Sequence, residues 1–107
     1  MPRFLEFSVP ASATSPTTSA LVEFVLARLA DEEADLDRAP DPEERQRRAA
    51  DVRARREVVT SVQELLDLRD QPNEMAVRDL AVSILRSLAT PFAEHPQFRD
   101  EWHAATR

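Results

Sequence analysis

A chain of 107 residues has room for one domain with a modest core, burying roughly 65% of its extendable surface on folding, and none for a separate catalytic domain. It has no Cys, Gly, Lys or Tyr, all 14 basic residues are arginines, and its net charge is −6. Disulfides, thiol catalysis and thiolate zinc sites are thereby excluded, and general affinity for phosphate backbones is disfavoured.

The all-arginine, alanine-rich usage is what a very GC-rich genome writes, so the missing Lys carries no functional message. The longest fully apolar run, Phe24-Val25-Leu26-Ala27, is far short of the roughly 20 residues of a membrane helix. Glu6 interrupts the start of the chain where a signal peptide needs an unbroken apolar stretch. The expectation is a cytoplasmic protein without membrane contact.

Residues 8–19 form an uncharged Ser/Thr/Pro/Ala run without periodicity, a composition that cannot offset the entropy of ordering it. Residues 1–18 are read as a flexible leader and 19–107 as the helical domain. Thr18 or Ser19 can cap the first helix. Val22, Val25, Leu29 and Leu36 follow at helical spacing, with Leu21, Phe24 and Leu26 widening the stripe. Pro40 disfavours helical geometry in the residue before it, which predicts an end near Arg38-Ala39.

Asp41-Pro42-Glu43-Glu44 is a strong start signal, with Asp41 as N-cap, Pro42 at the first helical position and Glu44 placed for a capping box. Nothing breaks a helix from there until Pro72, so the second helix is predicted to run about 28 residues, or roughly 42 Å. The chain turns around Asp70 to Asn73. A third helix is predicted from near Asn73 to Thr90-Pro91, with Val77, Leu80, Ala81, Ile84, Leu85 and Leu88 as its apolar stripe. Pro96 is predicted to open a last helical segment on which Phe98 and Trp102 are i,i+4 neighbours. No alternating strand pattern occurs. The fold predicted is all-α: a small antiparallel bundle of three main helices plus a short C-terminal one.

Charge is unevenly placed. Residues 19–41 hold seven acids against Arg28 and Arg38, while residues 42–57 hold six arginines against four acids. The two segments are expected to pair with each other. Glu43/Arg47, Glu44/Arg48 and Asp51/Arg55 also stand acid-first at i,i+4, the favourable orientation. On the second helix, positions 48, 52, 55, 59, 62 and 66 mark one seam. Arg48 and Arg55 interrupt it, and a core-facing arginine needs a partner. Glu32 interrupts the first helix's seam in the same way. A hairpin through residues 39–41 places Glu32 opposite Arg48, and an interhelical ion pair is expected there. The competing use of this helix is nucleic-acid contact through Arg45, Arg47, Arg53 and Arg56.

The closing segment, Ala89 to Trp102, gathers aromatics, His95, Pro91 and Pro96 in a chain otherwise built from Ala, Leu, Val, Arg and Glu. His95 and His103 are eight residues apart across a proline, which matches no ligand spacing. No activated nucleophile, phosphate loop or carboxylate pair is discernible, so no catalytic, metal or cofactor residue is assigned and the protein is read as non-enzymatic. His95 is expected to make a local turn contact. Phe92, Phe98 and Trp102 either fold back on the third helix as a core lid or, with His95, form an interaction surface.

Several stretches resemble a family of small proteins encoded in actinobacteria and their phages that carry a domain of unknown function. They are Leu21-Val22-Glu23-Phe24, Asp31-Glu32-Glu33 and Ala54-Arg55-Arg56-Glu57-Val58-Val59. The most specific is Leu88 to Trp102, similar to the family's Ala-x-Pro-aromatic-Ala-acidic-His-Pro closing signature. Members with a Cys/His-rich stretch before that signature suggest zinc. This chain has Val77 to Leu88 there, so the resemblance implies no metal. It implies a lineage and no activity. The function expected is a protein-interaction or adaptor module whose partner is another protein or a second copy. The alternative is a small DNA-associated regulator using the arginine-rich helix.

Overall fold

The computed structural model describes residues 16–68 and 72–103. The fold has three helices, α1 (Pro16–Ala34), α2 (Pro42–Leu66) and α3 (Glu74–Ala89); a 3-10 turn at Leu36–Arg38 lies between α1 and α2, and two more, at Thr90–Phe92 and Asp100–Trp102, follow α3. No strand occurs among the described residues, and the fold is all-α. No helix among them is long and apolar enough to cross a membrane.

Helix α1 begins at Pro16, where a fixed φ suits the first helical position, and so ahead of the expected Thr18 or Ser19 cap. The last three residues of the predicted leader are therefore helical, and residues 1–15 lie outside the described residues. The helix also stops sooner than its apolar stripe suggests. The Asp35 N–H is shared between the Asp31 and Glu32 carbonyls, at 3.1 Å each, and this tightening leads into the 3-10 turn. Ala39 is extended, with φ −70° and ψ 123°, as the residue before a proline must be.

The start of α2 follows its sequence signal. The Asp41 carboxylate accepts from the Glu43 N–H at 3.2 Å, with Pro42 and two glutamates in the first turn at the positive end of the helix dipole. Glu44 reaches forward to Arg47 and Arg48, not back to Asp41, so the reciprocal half of the capping box does not form. Leu66 ends the helix short of the predicted 28 residues, where the Asp67 N–H is shared by the Gln63 and Glu64 carbonyls. Helix α3 runs from Glu74 until Thr90 caps the Arg86 carbonyl with its hydroxyl, at 2.7 Å.

The core takes Leu21, Phe24, Val25 and Leu29 from α1, Val52, Val59, Val62 and Leu66 from α2, Ala81, Leu85 and Ala89 from α3, and Trp102. Leu80, assigned to the α3 stripe from spacing, is 58% exposed. The buried row of α3 is Ala81, Leu85 and Ala89, and Leu80 stands roughly 140° around the helix from Leu85.

Helices α1 and α2 are antiparallel, but in a register different from the predicted one. Glu32 pairs with Arg55 at 2.5 Å and Glu33 with Arg56 at 2.8 Å, while Arg48 pairs with Glu44 at 2.8 Å. The expected Glu32–Arg48 pair does not form. The cause is the connection between the helices, which lies back along the first turns of α2. Leu36 and Asp37 border one cavity with Pro42, Arg45 and Ala49, and Arg45 Nη1 donates to the Ala39 carbonyl at 2.6 Å. That run of α2 is occupied, so α1 pairs with the helix two turns farther along.

Candidate interaction surface

After Ala89 the chain leaves α3 through two proline-directed turns. His95 N–H bonds the Phe92 carbonyl and Phe98 N–H bonds the His95 carbonyl, at 2.9 Å each. Arg99 is then extended, with φ −96° and ψ 143°, before the 3-10 turn at Asp100–Trp102. No α-helix follows Pro96 among the described residues. Phe98 and Trp102 meet edge-to-face nonetheless, at 5.5 Å between centroids.

This segment makes its ring contacts on α1 and shares one core cluster with Ala81, Leu85 and Ala89 of the predicted α3. Phe24 is the hub: ring centroids of Trp102, His95, Phe98 and Phe92 lie 5.0, 5.6, 5.8 and 6.5 Å from its own. These separations favour mixed edge-to-face packing. The buried row of α3 is made largely of alanine and offers no comparable aromatic face. Trp102 is 2% exposed and belongs to the core. It drops out of the predicted surface of Phe92, His95, Phe98 and Trp102, whose other three members are half-buried.

A residue that sequence reasoning passed over holds this junction. Arg28, only 9% exposed, lies over the Phe24 ring at 5.1 Å from its centroid and has Nε 3.1 Å from Asp31 Oδ2. Its Nη1 meets His95 Nε2. On the other side of the imidazole, Nδ1 accepts from the Gln97 N–H at 3.0 Å. Since a guanidinium only donates and the imidazole keeps at least one N–H, the two contacts are not both hydrogen bonds, and the ring ties α1 to the closing segment by its edge-to-face packing on Phe24. The signal in the sequence was the i,i+4 spacing of Phe24 and Arg28, which places both on one helix face.

Beside this cluster a groove of about 460 Å³ separates α1 from the closing segment. Ala20, Glu23, Phe24 and Ala27 form its α1 wall, and Gln97, Arg99 and Trp102 the other. Arg99 lies over the Trp102 ring at 5.4 Å and reaches Glu101 only at 3.5 Å. The Trp102 indole N–H is buried without an acceptor.

The arginine-rich face of α2 is organised differently. Arg47 and Arg48 both engage Glu44, Arg55 engages Glu32 and Asp51, and Arg56 engages Glu33. Arg45 donates to a backbone carbonyl. Of the four arginines proposed for nucleic acid, Arg53 alone is exposed without an ion pair among the described residues. The hydrogen bond from Arg48 holds the Glu44 carboxyl below its ordinary value, helped by the charge of Arg47. Burial works against the charge of Arg55, but the hydrogen bonds and charges of Glu32 and Asp51 outweigh it and raise its pKa. Glu32 and Arg48 both border a cleft of about 290 Å³ without bonding each other. No group of three or more His, Cys, Asp or Glu side chains placed to hold a metal occurs among the described residues.

Residues 41–104 match the family model DUF6221, a family of unknown function, and the chain belongs to that family. The matched stretch covers α2, α3 and the closing segment. No curated protein and no solved structure matches the chain.

Proposed function

We propose that this DUF6221 member is a non-enzymatic protein-interaction or adaptor module of actinobacterial or phage origin. In this reading it works in the cytoplasm on another protein or on a second copy of itself, without cofactor or metal. The observation that carries the reading is the groove beside Trp102, which a guanidinium, an amide and aromatic rings border together. Arginine and aromatic side chains supply most of the binding energy in protein interfaces. Exposed Met75 and Leu80 on α3 add apolar surface. The edge-to-face packing of His95 on Phe24 supports a structural use of that ring over proton transfer.

The test is capture of partners on the immobilised full chain from an actinobacterial lysate, identified by mass spectrometry. Proteins retained at high salt and after nuclease treatment are the expected result. The second reading, a small DNA-associated regulator, is favoured by the exposure of Arg47 and Arg53. Salt-dependent retention on DNA that disappears in an Arg53→Ala, Arg56→Ala double variant would carry that reading in place of the first.

A further inference from the structure

We propose that α2 carries a second seam on which two copies of this chain pair, antiparallel, as a dimer. The proposal rests on the interaction-module reading and names its partner. The inward seam of α2 runs through positions 48, 52, 55, 59, 62 and 66, and its four aliphatic members are buried. One residue earlier at each step, Arg47, Asp51, Ala54, Val58, Ser61 and Leu65 repeat the same spacing, about 100° around the helix. The inner stretch of this second row, Ala54 to Leu65, has no charged member. Ala54 and Ser61 are exposed, Leu65 is half-buried, and Val58 is 39% exposed. A β-branched valine on a solvated helix face adds neither helix propensity nor core packing. Two such seams side by side are the pattern of a helix that packs on two sides.

Charge names the partner and the direction. Residues 45–56 hold six arginines and one acid, whereas residues 57–67 hold Glu57, Glu64 and Asp67 and no base. Beside the second seam, again one residue earlier, stand Arg53, Glu57 and Glu64. All three are exposed and none enters an ion pair among the described residues. A second copy laid parallel would set Glu57 against Glu57 and Glu64 against Glu64, like charge on like charge. Laid antiparallel, Leu65 meets the partner's Ala54 and Val58 meets the partner's Ser61, a large side chain on a small one at each step. The same register brings Arg53 to the partner's Glu64, and the two-fold axis makes each of these contacts twice. A wholly acidic or wholly basic partner meets its own sign at one end of this flank. The chain's own α2 does not.

Sedimentation equilibrium of the full chain tests the pairing. A monomer–dimer equilibrium is expected, with a dissociation constant on the order of 100 μM, as suits a small interface. Ala54→Glu and Ser61→Glu, both at exposed positions, are expected to keep the wild-type circular dichroism and to remain monomeric. Arg53→Glu and Glu64→Arg are each expected to weaken the dimer roughly tenfold, and the double variant to restore it. The proposal is overturned by a chain that stays monomeric at millimolar concentration, or by a dimer that either folded seam variant leaves intact. It is also overturned if the double charge variant pairs no better than the single ones. The capture experiment keeps the two readings apart. A chain that stays monomeric yet retains another protein refutes the pairing alone, and one that neither pairs nor retains anything refutes the module as well.

Discussion

Toward its C-terminal end α1 meets α2 through Glu32–Arg55 and Glu33–Arg56, whereas at its middle it meets the closing segment through Phe24, Arg28 and four rings. The first junction is polar and partly solvated, with Glu33 57% and Arg56 37% exposed at the side chain. Exposed ion pairs of this kind contribute at most about 1 kcal/mol each. The second junction removes aromatic surface from water, and each buried ring takes roughly 150–250 Å² with it. One helix therefore uses its two halves for different ends. The charged half pairs with α2 in the register that the connection sets, and the aromatic half supplies the stability.

The largest effect that can break this comparison is Trp102→Ala. Removal of a fully buried tryptophan costs about 3 kcal/mol or more, a large share of the stability of so small a domain. Chemical denaturation of the full chain measures it. A loss below about 1 kcal/mol, with the melting temperature barely changed, would return the aromatic group to the role of an exposed patch. It would also remove the stabilising half of the comparison.

The difference between the halves also explains what the sequence made legible. The seam of α2 was readable because four of its residues, Val52, Val59, Val62 and Leu66, follow at steps of seven, three and four along one helix face and are all buried. Asp41-Pro42 was readable because a cap is local chemistry. The all-α class followed from the same periodicities. The register was not readable, since Leu36 continues the α1 stripe at correct spacing and only the shared Asp35 N–H ends the helix before it. A difference of a few residues in the connection moves Glu32 from Arg48 to Arg55, and both arginines satisfy the pattern equally well. The destination of the closing aromatics was hidden for a related reason. Composition identifies a lid, but its landing place depends on the path through Pro91 and Pro96 and on Phe24, which spacing ranked only as a flank of the α1 stripe. Within the candidate site, the rings were named in advance. The Arg28–His95 contact and the groove were not, because both exist only once two distant segments meet.

A smaller effect sharpens the polar half. A double-mutant cycle between Glu32→Ala and Arg55→Ala is expected to give a coupling of about 0.5–1 kcal/mol, the range of a partly exposed pair. The cycle between Glu32→Ala and Arg48→Ala is expected to give none. Coupling in the second cycle and not the first would restore the register that symmetry about residues 39–41 suggests. It would also displace the connection from the first turns of α2. Each arginine variant also perturbs a second bond, Arg55 to Asp51 or Arg48 to Glu44, so only the cycle isolates the cross-helix contribution.

The smallest effect is pH-dependent and belongs to the start of α2. The Glu44 carboxyl is held below its ordinary value of 4.5, chiefly by the hydrogen bond from Arg48. A carboxyl whose folded pKa is depressed contributes stability that is present above its unfolded pKa and is lost as pH falls through the folded one. Glu44→Gln is therefore expected to be less stable than the wild type at neutral pH, with the gap closing below about pH 4.5. Because the pair is at the surface, raised salt should narrow the gap at neutral pH as well. Two sources compete for this effect, since Glu44 also sits in the first turn at the positive end of the helix dipole. Arg48→Ala separates them. If the arginine is the main cause, the gap between Glu and Gln at position 44 shrinks in that background and its dependence on pH flattens. If the gap persists unchanged, the dipole carries it, and the α2 arginines near the connection are held less firmly by their acids than the ion pairs at Arg55 and Arg56.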